Sequence, residues 1–212
     1  MYADRNEAGK LLAVKLEKYS KTDAIILAIP RGGIPLGFII SEKLNLPLEA
    51  VLSKKIGHPL HKEYAIGAVT LKNSVLSDAA ADISPLYINE EIKNIRSLLK
   101  KRYTYYYEDR KPLQLKGKIL VIVDDGIATG NTMLSIIKML HDEKPNKIVV
   151  AIPVASNDAI KKLQASTFVD EVICPLVPDY FQSVGQFYQD FDQVDDNEVK
   201  QLLKKAHKTS SG

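Results

Sequence analysis

The chain is poor in cysteine: Cys174 is the only one among 212 residues. That excludes an internal disulfide and fits a reducing compartment. No apolar run approaches the ~20 residues of a membrane span. The opening residues, MYADRNEAGK, carry charges of both signs and no signal-peptide core. Neither sign of charge dominates, since 29 Lys and Arg against 26 Asp and Glu leave a formal net charge of +3, too little to argue for nucleic acid. Low-complexity tracts and internal repeats are also missing. These absences lead to the expectation of a cytoplasmic soluble protein with neither a nucleic-acid nor a membrane partner. The basic clusters at Lys100–Arg102, Arg110–Lys111 and Lys116–Lys118 read as solvated helix face and turn.

What remains is an ordinary globular composition, 45% hydrophobic and 26% charged, long enough to bury a sizeable core. Short apolar runs alternate with amphipathic stretches. Arg5 to Tyr19 has helical period behind a cap at Asp4. Ala24 to Ile29 reads as a strand buried on both faces, and Leu48 to Leu52, Ile119 to Val123, Lys147 to Ile152 and Val169 to Cys174 read as further strands. Helices are expected over Ile34 to Leu44, from near Ile88 to near Asp109 with Pro112 beyond it, over Thr132 to His141, and from a cap at Ser156 or Asn157 to about Ala165. Ser53 to Tyr64 is polar and loop-like. Ala65 to Leu71 and Val75 to Leu76 suggest a hairpin. A final helix begins at Asp195 or Asp196, and the tail HKTSSG at residues 207–212 is expected to fray. The alternation predicts an α/β fold with a mostly parallel, doubly wound sheet. Residues 1–174 would form its core, and residues 175–212 an aromatic hood with the last helix.

The most informative segment is Val121 to Thr132, VIVDDGIATGNT. A buried strand delivers Asp124 and Asp125 at its carboxyl end, the edge where open parallel sheets bind ligands. Gly126 and Gly130 permit tight turns, Ile127 and Ala128 lie between them, and Thr129 and Thr132 add hydroxyls. The helix beginning near Asn131 aims its positive end at the same spot, so a phosphate fits the loop. Carboxylates beside a phosphate repel it unless the ligand also carries hydroxyls. A ribose 5-phosphate satisfies both halves. A plain strand–turn–helix junction with Asp caps would explain an isolated D-D-G, but not the whole run of residue types. A Walker A loop is excluded because Asn131 stands where that motif needs lysine.

This segment resembles the signature of the type I phosphoribosyltransferases, which bind phosphoribosyl pyrophosphate (PRPP). The resemblance implies that Asp124 and Asp125 take the ribose hydroxyls while Gly126 to Thr132 wrap the 5′-phosphate. Ile29-Pro30-Arg31-Gly32-Gly33 looks like the family's pyrophosphate loop. It also fails the G-x-G-x-x-G dinucleotide fingerprint, although an ordinary βα turn remains open. The family places a mobile loop at about residues 53–66, where Lys54 and Lys55 would neutralise departing pyrophosphate. Glu63 in that loop is a candidate general base. His58 and His61 have a spacing that suits metal but no evident carboxylate or cysteine partner, so a solvated loop is the sober reading.

Pro178 to Gly185 looks like the hood of the hypoxanthine-guanine enzymes, with one extra residue between Phe181 and Gly185. By that resemblance Phe181, Val184 and Tyr188 face the acceptor, Tyr180 is a further stacking candidate, and Asp190 stands near a magnesium ligand. Anchoring of these aromatics to the core is the competing reading. Ala128 departs from the 6-oxopurine enzymes, which carry an aspartate there. Across nearly the whole chain the closest resemblance is to the group called predicted phosphoribosyltransferases. They share D-R-x-x-A-G (Asp4, Arg5, Ala8, Gly9), the R-G-G loop, K-x-G then E-x-A-x-G-A (Lys55, Gly57; Glu63, Ala65, Gly67, Ala68), and V-G-x-x-Y-x-D-F (Val184 to Phe191). The family implies Mg2+ carried mainly through PRPP, transfer to a nitrogenous, nucleobase-like acceptor, a place in nucleotide salvage, and a homodimer. The competing functions are a non-catalytic PRPP or nucleotide sensor and a nucleoside 5′-phosphate hydrolase or phosphorylase.

Overall fold

Strands covered on both faces by helices have no wet side, so their sequences are apolar throughout. In the computed structural model, which describes residues 1–62, 64–108 and 110–210 (the last three by backbone alone), the continuous apolar runs form such a sheet. Its strands are β1 (Ala24–Ala28), β2 (Leu48–Ala50), β6 (Ile119–Val123), β7 (Lys147–Ala151) and β8 (Glu171–Ile173). They lie in the order β2-β1-β6-β7-β8, every neighbouring pair parallel. Alternate residues of each strand serve two cores. Ala24, Ile26, Ala28, Val121 and Val123 join one cluster, and Ile25, Leu27, Leu120 and Ile122 the other.

Helices α1 (Arg5–Lys15), α2 (Gly33–Leu44), α3 (Pro85–Tyr107) and α6 (Asp196–Ser210) supply residues to the first cluster. Helices α4 (Asn131–His141) and α5 (Asn157–Ala165) supply the second. Asp4 caps α1 by accepting from Glu7 N at 2.8 Å, and Ser156 caps α5 by accepting from Ala159 N at 3.1 Å. The final helix starts at Asp196, with the Asp195 carboxylate accepting from Glu198 N at 2.8 Å. The sequence expectation of fraying from residue 207 is not met through Ser210, which is helical.

The segment expected as a polar loop after β2 departs from that reading. Ser53–Gly57 is strand β3, antiparallel to β4 (Ala65–Thr70), which pairs in turn with β5 (Ser74–Leu76). The cause is pairing with β4, which runs from Ser53 opposite Thr70 to Gly57 opposite Ala65. Lys54 and Lys55 are exposed while Ile56, Ile66 and Val69 are fully buried in the first core. Glu63 and Asp109, singled out in the sequence, lie outside the described residues, as do residues 211–212. No described helix is long and apolar enough to cross a membrane.

The strand order fixes the site. From β1 the chain passes through α2 to β2 on one side, whereas β6 to β8 spread to the other. The crevice between the carboxyl ends of β1 and β6 is therefore the topological switch point, where open α/β sheets bind ligands.

Candidate active site

Both candidate loops leave the sheet at that switch point. Ala28 is in register with Val123, and Ile29 N donates to Val123 O at 2.9 Å. Thus the loop after β1 begins hydrogen-bonded to the residue preceding the acidic pair. The Pro30–Arg31 peptide bond is cis, and Arg31 is exposed. Gly32 and Gly33 are required by closeness. A Cβ on Gly32 would stand 2.0 Å from Asp125 Oδ2, and one on Gly33 would stand 2.6 Å from Val123 O. The Arg-Gly-Gly turn and the acidic pair are one surface.

Asp124 is half-buried. Burial, then the charge of Asp125, pushes its carboxyl well above the usual carboxylate range, against the opposing Asp125 N–H and Arg5. Its Oδ1 accepts from Asp125 N at 2.9 Å. Burial also raises Asp125, and Arg5 opposes the shift. Arg5 reaches Asp125 Oδ2 with Nε at 3.0 Å and with Nη2 at 2.9 Å. The two side chains are only 13% and 15% exposed. Arg5 Nη1 donates to Asp192 O at 2.7 Å, and its guanidinium lies 3.9 Å from the centre of the Phe191 ring.

The next residues lead into α4. Gly130 adopts φ +77, and no side chain caps the helix; an uncapped helix N-terminus of this kind suits an anion. Ile127 N donates to Val154 O at 3.0 Å, and Ser156 N to Ile127 O at 3.1 Å. Ser156 Oγ donates to Ala128 O at 2.6 Å. Lys162 Nζ donates to Thr129 O at 3.2 Å and to Asn131 Oδ1 at 3.3 Å. Helix α5 therefore braces the loop and brings a cation to its rim. Ala128, Thr129, Asn131 and Thr132 are exposed.

The C-terminal segment closes the other side. A Cβ on Gly126 would stand 2.5 Å from Val184 Cγ1, so Val184 rests directly on the acidic loop. Tyr188, expected on the acceptor, is 5% exposed, and its hydroxyl donates to Asp125 O at 2.6 Å. Phe181 is half-buried against the first core, 5.3 Å ring to ring from Phe187, while Tyr180 is exposed. Asp190 is exposed, and its Oδ1 accepts from Asp192 N at 3.3 Å. Tyr2 N donates to Phe187 O and Gln189 N to Tyr2 O, both at 2.8 Å.

Lys54 and Lys55 lie on β3, opposite Val69 and Ala68. The rings of His58 and His61 stack at 5.9 Å. Among the described residues no group of three or more His, Cys, Asp or Glu is disposed to hold a metal ion. Sequence reasoning placed Arg5 in a shared motif without a role, and missed Ser156 and Lys162 as braces. Contacts across 120 residues, such as that from Arg5 to Asp125, leave no local spacing signal.

Comparison with known proteins agrees with this geometry. Residues 3–190 match the model of the phosphoribosyl transferase domain. The chain belongs to that family. Two Mycobacterium tuberculosis strains each have a relative, named as a putative phosphoribosyl transferase, that is 33% identical over 214 aligned positions. The match covers 98% of this chain and 47% of each relative, so the chain spans about half the length of those proteins. A Thermus thermophilus crystal structure is 35% identical with a TM-score of 0.84, covering 97% of this chain and 98% of that one. A hypothetical Neisseria gonorrhoeae protein crystallised with ppGpp is 20% identical with a TM-score of 0.51, covering 97% and 94%; that likeness shows the fold alone.

Proposed function

We propose that the chain transfers a 5-phosphoribosyl group from PRPP to a nitrogenous, nucleobase-like acceptor and releases pyrophosphate. The observation that carries this reading is the contact of the Arg-Gly-Gly turn with the acidic pair, where a Cβ on Gly32 would meet Asp125 Oδ2. A turn suited to pyrophosphate and a pair suited to sugar hydroxyls share one crevice beside an uncapped helix N-terminus. PRPP joins those three chemical parts.

In this reading the N–H groups of Gly126 to Thr132 hold the 5′-phosphate, with Lys162 at the rim. Asp124 and Asp125 accept hydrogen bonds from the ribose hydroxyls. The acceptor nitrogen attacks C1 as the C1–O bond breaks, and the electron pair leaves with pyrophosphate. Positive charge developing on the ribose is stabilised by the carboxylates. Arg31, with the N–H groups of Gly32 and Gly33, takes the departing pyrophosphate, and Lys54 and Lys55 approach it from β3. The hard oxygens of the carboxylates and the substrate suit magnesium, held chiefly by PRPP with Asp190 as the candidate protein ligand; bound Mg2+ would neutralise the leaving group. Val184 and Phe181 form the acceptor wall, and Tyr188 acts through the Asp125 carbonyl. Salvage of a nucleobase in the cytoplasm, by a homodimer, completes the proposal.

The test is thermal. PRPP with Mg2+ raises the melting temperature, and Asp124→Asn with Asp125→Asn abolishes the rise. No rise in the unmodified protein sinks the PRPP reading. Pyrophosphate release, screened across nucleobases and small amines, then names the acceptor. Release with none of them, despite binding, favours a sensor.

A further inference from the structure

Arg5 lies outside both loops, yet it makes the most specific contact in the site. We propose that Arg5 is a positioning residue that sets selectivity for the ribose hydroxyls, by fixing the Asp125 carboxylate through its bidentate grip on Oδ2. The inference rests on the reading of Asp124 and Asp125 as the sugar-hydroxyl acceptors.

The physical case starts from what an unheld carboxylate does. An aspartate rotates about its terminal torsion with little preference. A hydrogen bond discriminates between sugars only if its acceptor is fixed before the sugar arrives. Here Nε and Nη2 of one rigid guanidinium both meet the same oxygen. The guanidinium is itself immobilised on two further sides, by the Phe191 ring and by the Asp192 carbonyl. Gly32 removes the side chain that would otherwise occupy the carboxylate's place. Tyr188 holds the backbone of the same aspartate through its carbonyl.

The base of Arg5 is equally fixed. It is the first residue of α1, directly after the Asp4 cap. Ala8 is fully buried. Gly9 lets α1 approach α2, since a Cβ there would stand 3.1 Å from Ile39 Cβ and 3.2 Å from Leu36 Cα. The four residues of D-R-x-x-A-G thus have a single common effect. Asp4 starts the helix, Ala8 and Gly9 seat it against α2, and Arg5 is delivered to the acidic pair. Lysine could supply the charge at this position but not two donors in a planar fork.

The test is binding of two sugars by calorimetry, without an acceptor: ribose 5-phosphate and 2-deoxyribose 5-phosphate. The unmodified protein is expected to prefer the ribose sugar on the order of tenfold or more, the worth of one hydrogen bond to a charged group. Arg5→Met is expected to bring the affinity for ribose 5-phosphate down to that for the deoxy sugar, leaving the deoxy sugar unchanged. Arg5→Lys keeps the charge and is expected to retain the fold with an intermediate preference, so it decides the matter if Arg5→Met does not fold. Equal weakening of both sugars, or an unchanged preference, overturns the proposal. An unmodified protein that binds both sugars equally overturns it while leaving the phosphate loop standing, and one that binds neither sugar removes the parent reading as well.

Discussion

Gly32→Ala isolates the contact between the two loops. The backbone at Gly32 has φ −62 and ψ −32, an ordinary helical conformation that alanine adopts freely. Any effect must therefore come from the methyl group. That methyl would stand 2.0 Å from Asp125 Oδ2 and 2.5 Å from its Cγ, well inside van der Waals contact. The carboxylate has to move, and its bonds with Arg5 go with it. Overpacking of this kind costs about 1–3 kcal/mol. For a chain of this size each kcal/mol shifts the melting temperature by ~2–4 °C, so a fall of about 2–12 °C is expected. Binding suffers separately. Displacing a charged acceptor forfeits about 1.5–3 kcal/mol, or a roughly 10- to 140-fold loss of PRPP affinity. Gly117→Ala is the matched control. Gly117 has φ +73 with nothing within 4 Å of an added Cβ, so alanine there costs about 1–2 kcal/mol of backbone strain and leaves the site untouched. Scanning fluorimetry and titration calorimetry on both variants separate the two effects. Unchanged PRPP affinity in Gly32→Ala would refute the assignment of Asp125 to the sugar.

Two further outcomes follow from the same residues. Asp124→Asn is expected to stabilise the ligand-free protein while weakening PRPP binding. The folded-state pKa of Asp124 is raised above its ordinary value of 3.8 by burial and by Asp125, so its share of stability is present below that value and lost as pH rises through the raised one; melting curves should show the gain at neutral pH and its disappearance at about pH 3, and a loss of stability at neutral pH counts against the assignment. Ser156→Ala removes both the cap of α5 and the bond to Ala128 O. It should cost about 0.5–2 kcal/mol in chemical denaturation and also weaken ribose 5-phosphate binding, whereas a stability loss with unchanged binding would confine Ser156 to capping.

The parallel core was legible because its strands are buried on both faces. Ile119–Val123 is apolar at every position and ends in two carboxylates, a junction that local pattern alone can locate. Strand β3 was not legible. Its sequence, Ser-Lys-Lys-Ile-Gly, shows the solvent its charged residues, and only pairing with β4 makes it a strand. The candidate site divides along the same line. Asp124, Gly130 and the Arg-Gly-Gly turn announce themselves by residue type next to a strand end. Arg5, Lys162 and the Tyr188 hydroxyl act across the fold, and nothing in their neighbouring residues says where they arrive. Tyr188 also shows how an aromatic that suits stacking on a base can instead be buried to hold a carbonyl.

The clasp around Asp125 has a temporal consequence. Its two holders, Arg5 and Tyr188, come from near opposite ends of the described chain, and Tyr2 is tied to residues 187 and 189. Synthesis supplies Arg5 183 residues before Tyr188. The clasp on Asp125 is therefore complete only once the chain has been made through Tyr188.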